Sequence, residues 1–179
     1  NNDMTLKFRG KGDDMNFEKK HLAELGFCYS VGIVEHNKRK KFLLASEAVD
    51  ACYIFDAQDF SQETVWDGPG GTMSIIALEG KNGEFLAVQN FVPSFQGEKA
   101  TIVWGKPNGD QWDIKTILDL PYVHRFDVFE KNDVKYFFAA TICSSKKSIE
   151  DWSDPGKIYA GVLPDDLNKQ KIDISPIMD

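Results

Sequence analysis

The sequence predicts an all-β fold: a β-propeller showing three four-stranded blades, as part of a larger ring. Three observations carry this reading. A four-strand profile recurs three times, its period matches that of propeller blades, and polarity rises from the first strand of each copy to the fourth.

The first strands align as Tyr29–Glu35, Met73–Glu79 and His124–Glu130. Each ends in Glu and runs into a polar turn (His36-Asn37-Lys38, Gly80-Lys81-Asn82-Gly83, Lys131-Asn132-Asp133), then into a second apolar strand at Phe42–Ser46, Phe85–Gln89 and Tyr136–Thr141. Apolar runs rich in aromatic and β-branched residues around such turns are hairpin signals. Third strands follow at Cys52–Phe55, Thr101–Trp104 and Lys157–Ala160. More polar fourth strands follow at Glu63–Trp66, Trp112–Ile117 and Lys171–Ile174. Pro-containing connectors close the copies at Gly68–Gly71, Leu120–Tyr122 and Ser175–Ile177. The first-strand register repeats after 44 and then 51 residues. The chain thus divides into residues 1–27, blade 1 (28–71), blade 2 (72–121) and blade 3 (122–179). In the opening segment Thr5–Phe8 reads as a strand, one that can complete the last blade of a closed ring. Asn16 is placed to cap a short helix over Glu18–Leu25 that ends at Gly26.

The polarity gradient fits the architecture. First and second strands are apolar on both faces, as expected where blades stack on either side. Fourth strands carry charge, as expected of an outer edge that must avoid pairing with strangers. A β-sandwich gives short strands and turns, but not one profile three times over. Propellers hold four to eight blades, so an arc of three leaves two apolar end faces bare. Either the polypeptide continues, which is the preferred reading, or another copy supplies the remaining blades.

Composition narrows the function classes. The chain has 179 residues, with 42% hydrophobic and 12% aromatic content, enough for a packed core. Its net charge of −7 argues against a nucleic-acid partner, since phosphate binding needs clustered Lys and Arg. The basic run Lys38–Lys41 reads as a solvated hairpin tip. No apolar stretch is long enough to cross a membrane as a helix, and no charged-then-apolar leader opens the sequence. The three cysteines are widely spaced and form no CxxC pair, so neither a disulfide framework nor a zinc knuckle fits. Cys28 and Cys52 read as small buried hydrophobes. A cytoplasmic location is expected, with no cofactor and no metal. Asp56 and Asp59 lack the spacing and Gly of a calcium loop, and Gly68–Gly71 lacks the Lys and helix of a phosphate loop. His21 and His36 read as surface residues.

Blade topology locates the candidate site. In a meander, the connector into strand one and the loop between strands two and three emerge at the same end, and loops carry function more often than strands do. That end collects Tyr29, Met73 and His124 together with 47–50, 89–96 and 143–154. The candidate ligand-binding residues are Tyr29, Glu47, Asn90, Phe95, His124, Arg125 and Trp152. Amides, carboxylates and flat aromatic rings in one concave mouth suit a sugar or another small polar ligand. The plainer alternative is a set of polar loops, with Phe95 or Trp152 folded back over a blade edge. Within His124-Arg125-Phe126-Asp127, three ionisable residues replace the neutral ones of the other copies. His124 and Asp127 are the candidates for acid–base chemistry. Arg125 and Asp127 fall on one side of a strand by the two-residue period. The competing reading is a buried Arg125–Asp127 pair tying two blades together, with His124 bonded to a loop carbonyl.

Over residues 28–179 the strand pattern resembles propellers built from irregular blades, such as the FG-GAP and related carbohydrate-active groups. The acidic calcium loop of true FG-GAP repeats is absent. Trp66-Asp67 and Trp112-Asp113 do not occupy the Trp-Asp repeat position, and its Gly-His element is missing. The resemblance implies a ligand-binding propeller that binds or processes carbohydrate at the channel mouth. The alternative is a non-enzymatic scaffold holding a protein partner. No reaction is assigned.

Overall fold

The computed structural model describes residues 5–8, 15–48, 51–92 and 96–178, with side chains from residue 19 onward. All regular structure among them is β. Strands β1 (Thr5–Phe8) and β2 (Met15–Glu18) form a small antiparallel pair. Blade 1 is the meander β3 (Cys28–His36), β4 (Arg39–Ser46), β5 (Cys52–Asp56) and β6 (Gln62–Trp66). Blade 2 is β7 (Ile75–Ala77), β8 (Phe85–Gln89), β9 (Thr101–Asn108) and β10 (Gln111–Asp119). Blade 3 is β11 (Val123–Lys131), β12 (Val134–Thr141), β13 (Ile158–Val162) and β14 (Asp173–Met178). The protein is a three-bladed arc of propeller type.

Turn chemistry sets the inner hairpins. Asn37 and Lys38 (φ 53° and 61°) join β3 to β4, and Asn132 and Asp133 (φ 52° and 60°) join β11 to β12. Two successive positive φ values make the tight turn whose twist matches the flanking strands. Blade 2 uses a longer turn, with Gly80 and Gly83 at φ 73° and 84°.

The core lies between blades. Every residue of β8 is buried, because alternate side chains serve two seams. Phe85 and Ala87 join Val34, Leu43, Ile54 and Trp66 of blade 1, whereas Leu86 and Val88 join Phe126, Phe137 and Ala139 of blade 3. The Phe126 and Phe137 rings stack at 5.6 Å. Phe85 lies across the backbone of Gly105, its partner on β9, and a Cβ there would stand 2.2 Å from the ring. Glycine at 105 makes room for that ring. At the end of the arc carrying the hairpin turns, side chains stitch the blades together. Asn37 and Asn82 exchange hydrogen bonds of 2.7 and 3.1 Å, and Lys115 donates to the Leu167 carbonyl at 2.9 Å.

Several expectations need correction. No helix forms over Glu18–Leu25: Asn16 pairs across the ladder with Lys7, and residues 19–25 have no regular structure. A helix of two turns is marginal without a packed face, so strand pairing wins. Strand β1 pairs with β2 and takes no place in blade 3. Ser175–Ile177 is not a connector but part of β14, an edge strand, where Pro176 is tolerated because one side of the ladder is free. Cys28 is exposed, although Cys52 is buried as expected. His36 is half-buried, edge-on to Trp112 at 6.2 Å. Strand β3 is not covered on both faces: Ser30, Gly32 and Val34 are buried, while Tyr29, Val31 and Ile33 are exposed. Asp56 and Asp59 hold a turn: Asp56 accepts from the Gln58 amide at 2.8 Å, and both carboxylates pair with Arg39 at 2.8 and 2.9 Å.

Candidate functional site

The opposite end of the arc gathers the start of each first strand. A bulge between Val123 and Arg125 breaks the β11 register, and the Arg125 side chain reaches across both other blades. Its Nη1 donates to the Met73 carbonyl of blade 2 at 2.6 Å. Its Nη2 donates to the Tyr29 hydroxyl of blade 1 at 2.9 Å, with the guanidinium 5.1 Å from the Tyr29 ring centre. His124 stands edge-on to Tyr29 at 6.2 Å and to Phe91 at 5.5 Å. Tyr29, Met73 and His124, expected at equivalent places in the three copies, therefore do meet, with Arg125 bridging them.

The geometry replaces the buried Arg125–Asp127 pair. Arg125 is exposed, and no ion pair joins it to Asp127 among the described residues. The Asp127 carboxylate instead accepts from the Val128 amide at 2.8 Å and is exposed. A short carboxylate next to its own backbone closes locally when no buried cation competes. His124 has no carbonyl partner among the described residues. Its pKa is lowered, first by burial and then by the neighbouring Arg125 charge, with Glu47 acting in the opposite sense. The imidazole is therefore biased toward its neutral form, which can take up a proton.

The remaining candidates divide. Glu47 is half-buried at the mouth, its amide donating to the Phe27 carbonyl at 3.1 Å. Asn90 adopts φ 64° and donates its amide to the Gly70 carbonyl at 2.9 Å, turning the chain so that Phe91 is buried beneath His124. Phe95 lies outside the described residues. Trp152 is exposed in the β12–β13 loop under Lys146, whose Nζ is 3.2 Å from the ring centre. No contact joins it to Arg125 or His124 among the described residues. Sequence reasoning did not single out Phe91, nor three polar groups of blade 2 near this end. The Thr72 and Thr101 hydroxyls and the Gln89 amide nitrogen are buried without a partner among the described residues. Such groups ordinarily take a bound water or ligand atom.

A guanidinium carries five N–H donors. Two bonds are made here, so Arg125 retains donors for a ligand oxygen, flanked by the Tyr29 ring and the His124 imidazole. A cleft of about 240 Å³ lies at the other end between blades 2 and 3. Its polar groups are already engaged: Trp104 donates to Glu84 at 2.9 Å, Lys135 to the Glu79 carbonyl at 3.2 Å and Lys81 to the Asp165 carbonyl at 3.4 Å. That cleft is a stitched seam, and the mouth is the better candidate. Among the described residues no group of three or more His, Cys, Asp or Glu side chains is placed to hold a metal ion.

No family model matches the chain, and no curated protein matches it by sequence. Among solved structures, it is similar to α-L-arabinofuranosidase from Lactobacillus brevis, with 15% identity and a TM-score of 0.54 over 83% of this chain and 52% of that one. It is also similar to hydrazine synthase of Kuenenia stuttgartiensis, with 9% identity and a TM-score of 0.52 over 82% of this chain and 41% of that one. A levansucrase from B. megaterium aligns at 10% identity with a TM-score of 0.46 over 84% of this chain and 56% of that one. The chain thus spans about half the length of these structures or less. At such identities the likeness concerns the fold alone, and one fold serves unrelated chemistries.

Proposed function

We propose that the mouth around Arg125, His124 and Tyr29 binds a small polar ligand, with carbohydrate as the ligand class. The observation that supports this reading is the Arg125 guanidinium, an exposed cation held by two other blades with donors to spare. Rings at right angles offer faces to sugar C–H groups, and the guanidinium donates to hydroxyl oxygens. The similarity to an arabinofuranosidase adds that this fold carries carbohydrate chemistry in one structural neighbour. His124 is the proton acceptor such a site would use, and Glu47, whose charge acts on the imidazole, is its nearby carboxylate. Binding is the proposal, and turnover is read separately.

Titration calorimetry with arabinofuranosyl oligosaccharides tests it. The wild type is expected to bind, and Arg125→Met to weaken binding at least about tenfold, the loss of one charged hydrogen bond. Arg125 has no buried ion pair, so urea unfolding of the variant should show a loss of only about 1–2 kcal/mol. No binding by the wild type, or a loss above about 3 kcal/mol in the variant, would defeat the assignment. A protein-holding scaffold is the second reading, favoured by Trp152 and Ile149 exposed on one loop.

A further inference from the structure

Arg125 is a cation that the fold fixes in place without neutralising it. Both of its bonds go to neutral acceptors, the Met73 carbonyl at 2.6 Å and the Tyr29 hydroxyl at 2.9 Å. No carboxylate pairs with it among the described residues, although the chain holds 28 acidic side chains against 21 basic ones. Other cations are matched by acids. Arg39 pairs with Asp56 at 2.8 Å and Asp59 at 2.9 Å, and Lys41 pairs with Glu63 at 2.7 Å. Near Arg125, Asp127 accepts from the Val128 amide at 2.8 Å, and Glu47 acts on the His124 imidazole. An ordinary exposed arginine loses rotamer freedom when it grips a ligand. Here two other blades have already set the guanidinium, and three of its five N–H donors remain. Such a fork fits a carboxylate, and the pair adds a Coulomb attraction that a hydroxyl cannot supply.

We propose that Arg125 takes a carboxylate, so that the carbohydrate bound at this mouth is an acidic one, bearing a uronic acid residue. The proposal rests on the ligand reading above and narrows it. The Tyr29 ring serves the sugar C–H face, and the guanidinium takes the acid group. His124 responds to the same charge. Its pKa is held down first by burial and then by Arg125, and a bound carboxylate offsets the second of these. The groups facing the imidazole are Arg125 on its own strand, Tyr29 on β3 and Glu47 in the β4–β5 loop. Binding of the acid therefore favours a proton on His124. Affinity should rise as pH falls from about 8 to about 5.5, a range in which a uronic carboxylate stays ionised.

Titration calorimetry with trigalacturonate and with the methyl ester of the same trimer tests the proposal. Esterification removes the charge and keeps the sugar. The wild type is expected to bind the acid about tenfold or more tightly than the ester, an advantage that shrinks as salt is raised. Arg125→Met should bind the two alike, and Arg125→Lys, which keeps the charge, should retain part of the preference. His124→Gln should keep the preference and lose the rise in affinity toward low pH. The comparison of acid with ester needs only the wild type, so it stands whether or not a variant folds. Equal binding of acid and ester would overturn the proposal. If the ester and the arabinofuranosyl oligosaccharides still bind, the ligand reading survives that result, and if nothing binds both fall. A preference that persists in Arg125→Met would overturn it as well. So would acetate binding as tightly as the trimer, or a wild-type affinity for the acid that is flat across that pH range.

Discussion

Phe85→Ala is expected to lose about 3–5 kcal/mol of unfolding free energy, the range for removing a buried aromatic ring without full collapse of the cavity. Phe85 is fully buried on the central strand of the central blade. Its ring lies 6.2 Å from that of Trp66 in blade 1 and 5.7 Å from that of Trp112 in its own blade. Such aromatic pairs add about 0.5–1.5 kcal/mol beyond buried area. The backbone beneath is Gly105, so no side chain can move in to fill the space. The same contact predicts coupling. Gly105→Ala alone should destabilise, because the new Cβ meets a ring that cannot withdraw, and Phe85→Leu should relieve part of that loss. Urea unfolding of the four species checks both statements, and strict additivity would contradict the packing described.

Gly71→Ala is expected to lose about 2–5 kcal/mol and to weaken ligand binding as well. Gly71 sits at φ 72°, where a Cβ costs about 1–2 kcal/mol by itself. That Cβ would stand 2.3 Å from the Phe91 amide nitrogen and 2.8 Å from its carbonyl carbon. Both are backbone atoms, so relief requires shifting the strand end, and overpacking of this kind adds about 1–3 kcal/mol. The segment that must shift seats Phe91 under His124, which couples a packing defect to the mouth. Gly80→Ala is the control. Its φ is 73°, but nothing lies within 4 Å of its Cβ, so only the conformational part of the loss, about 1–2 kcal/mol, should appear. Equal losses at the two glycines would show that the Gly71–Phe91 approach is not tight.

What could be read from the sequence was what local chemistry decides. The hairpins of blades 1 and 3 are legible because apolar runs flank Asn-Lys and Asn-Asp turns. The all-β class follows from the same runs. The putting together of Tyr29, Met73 and His124 was legible too, since strand order alone sends three first strands to one end. What was not legible depends on partners distant in sequence. Asn16 has the right side chain for a cap, but Lys7 across the ladder decides its backbone. The two-residue period places Arg125 and Asp127 on one side. A bulge beside Arg125 then turns the strand start, and acceptors 52 and 96 residues away claim the guanidinium. Phe91 was hidden in a loop because nothing local shows that Asn90 turns with a positive φ. The expectation that first strands are covered on both faces assumed a neighbour on each side, which the end blades lack among the described residues.

The first strands of the three blades meet at one mouth through Arg125. A double-mutant cycle on stability tests it directly, using Tyr29→Phe to remove only the hydroxyl acceptor and Arg125→Met to remove the donor. The two residues are 96 positions apart, so no local effect can link them. The contact predicts a coupling of about 0.5–1 kcal/mol, above the roughly 0.3 kcal/mol scatter of independent sites. Additivity within that scatter would mean that blade 3 does not reach blade 1, and the mouth described here would not exist.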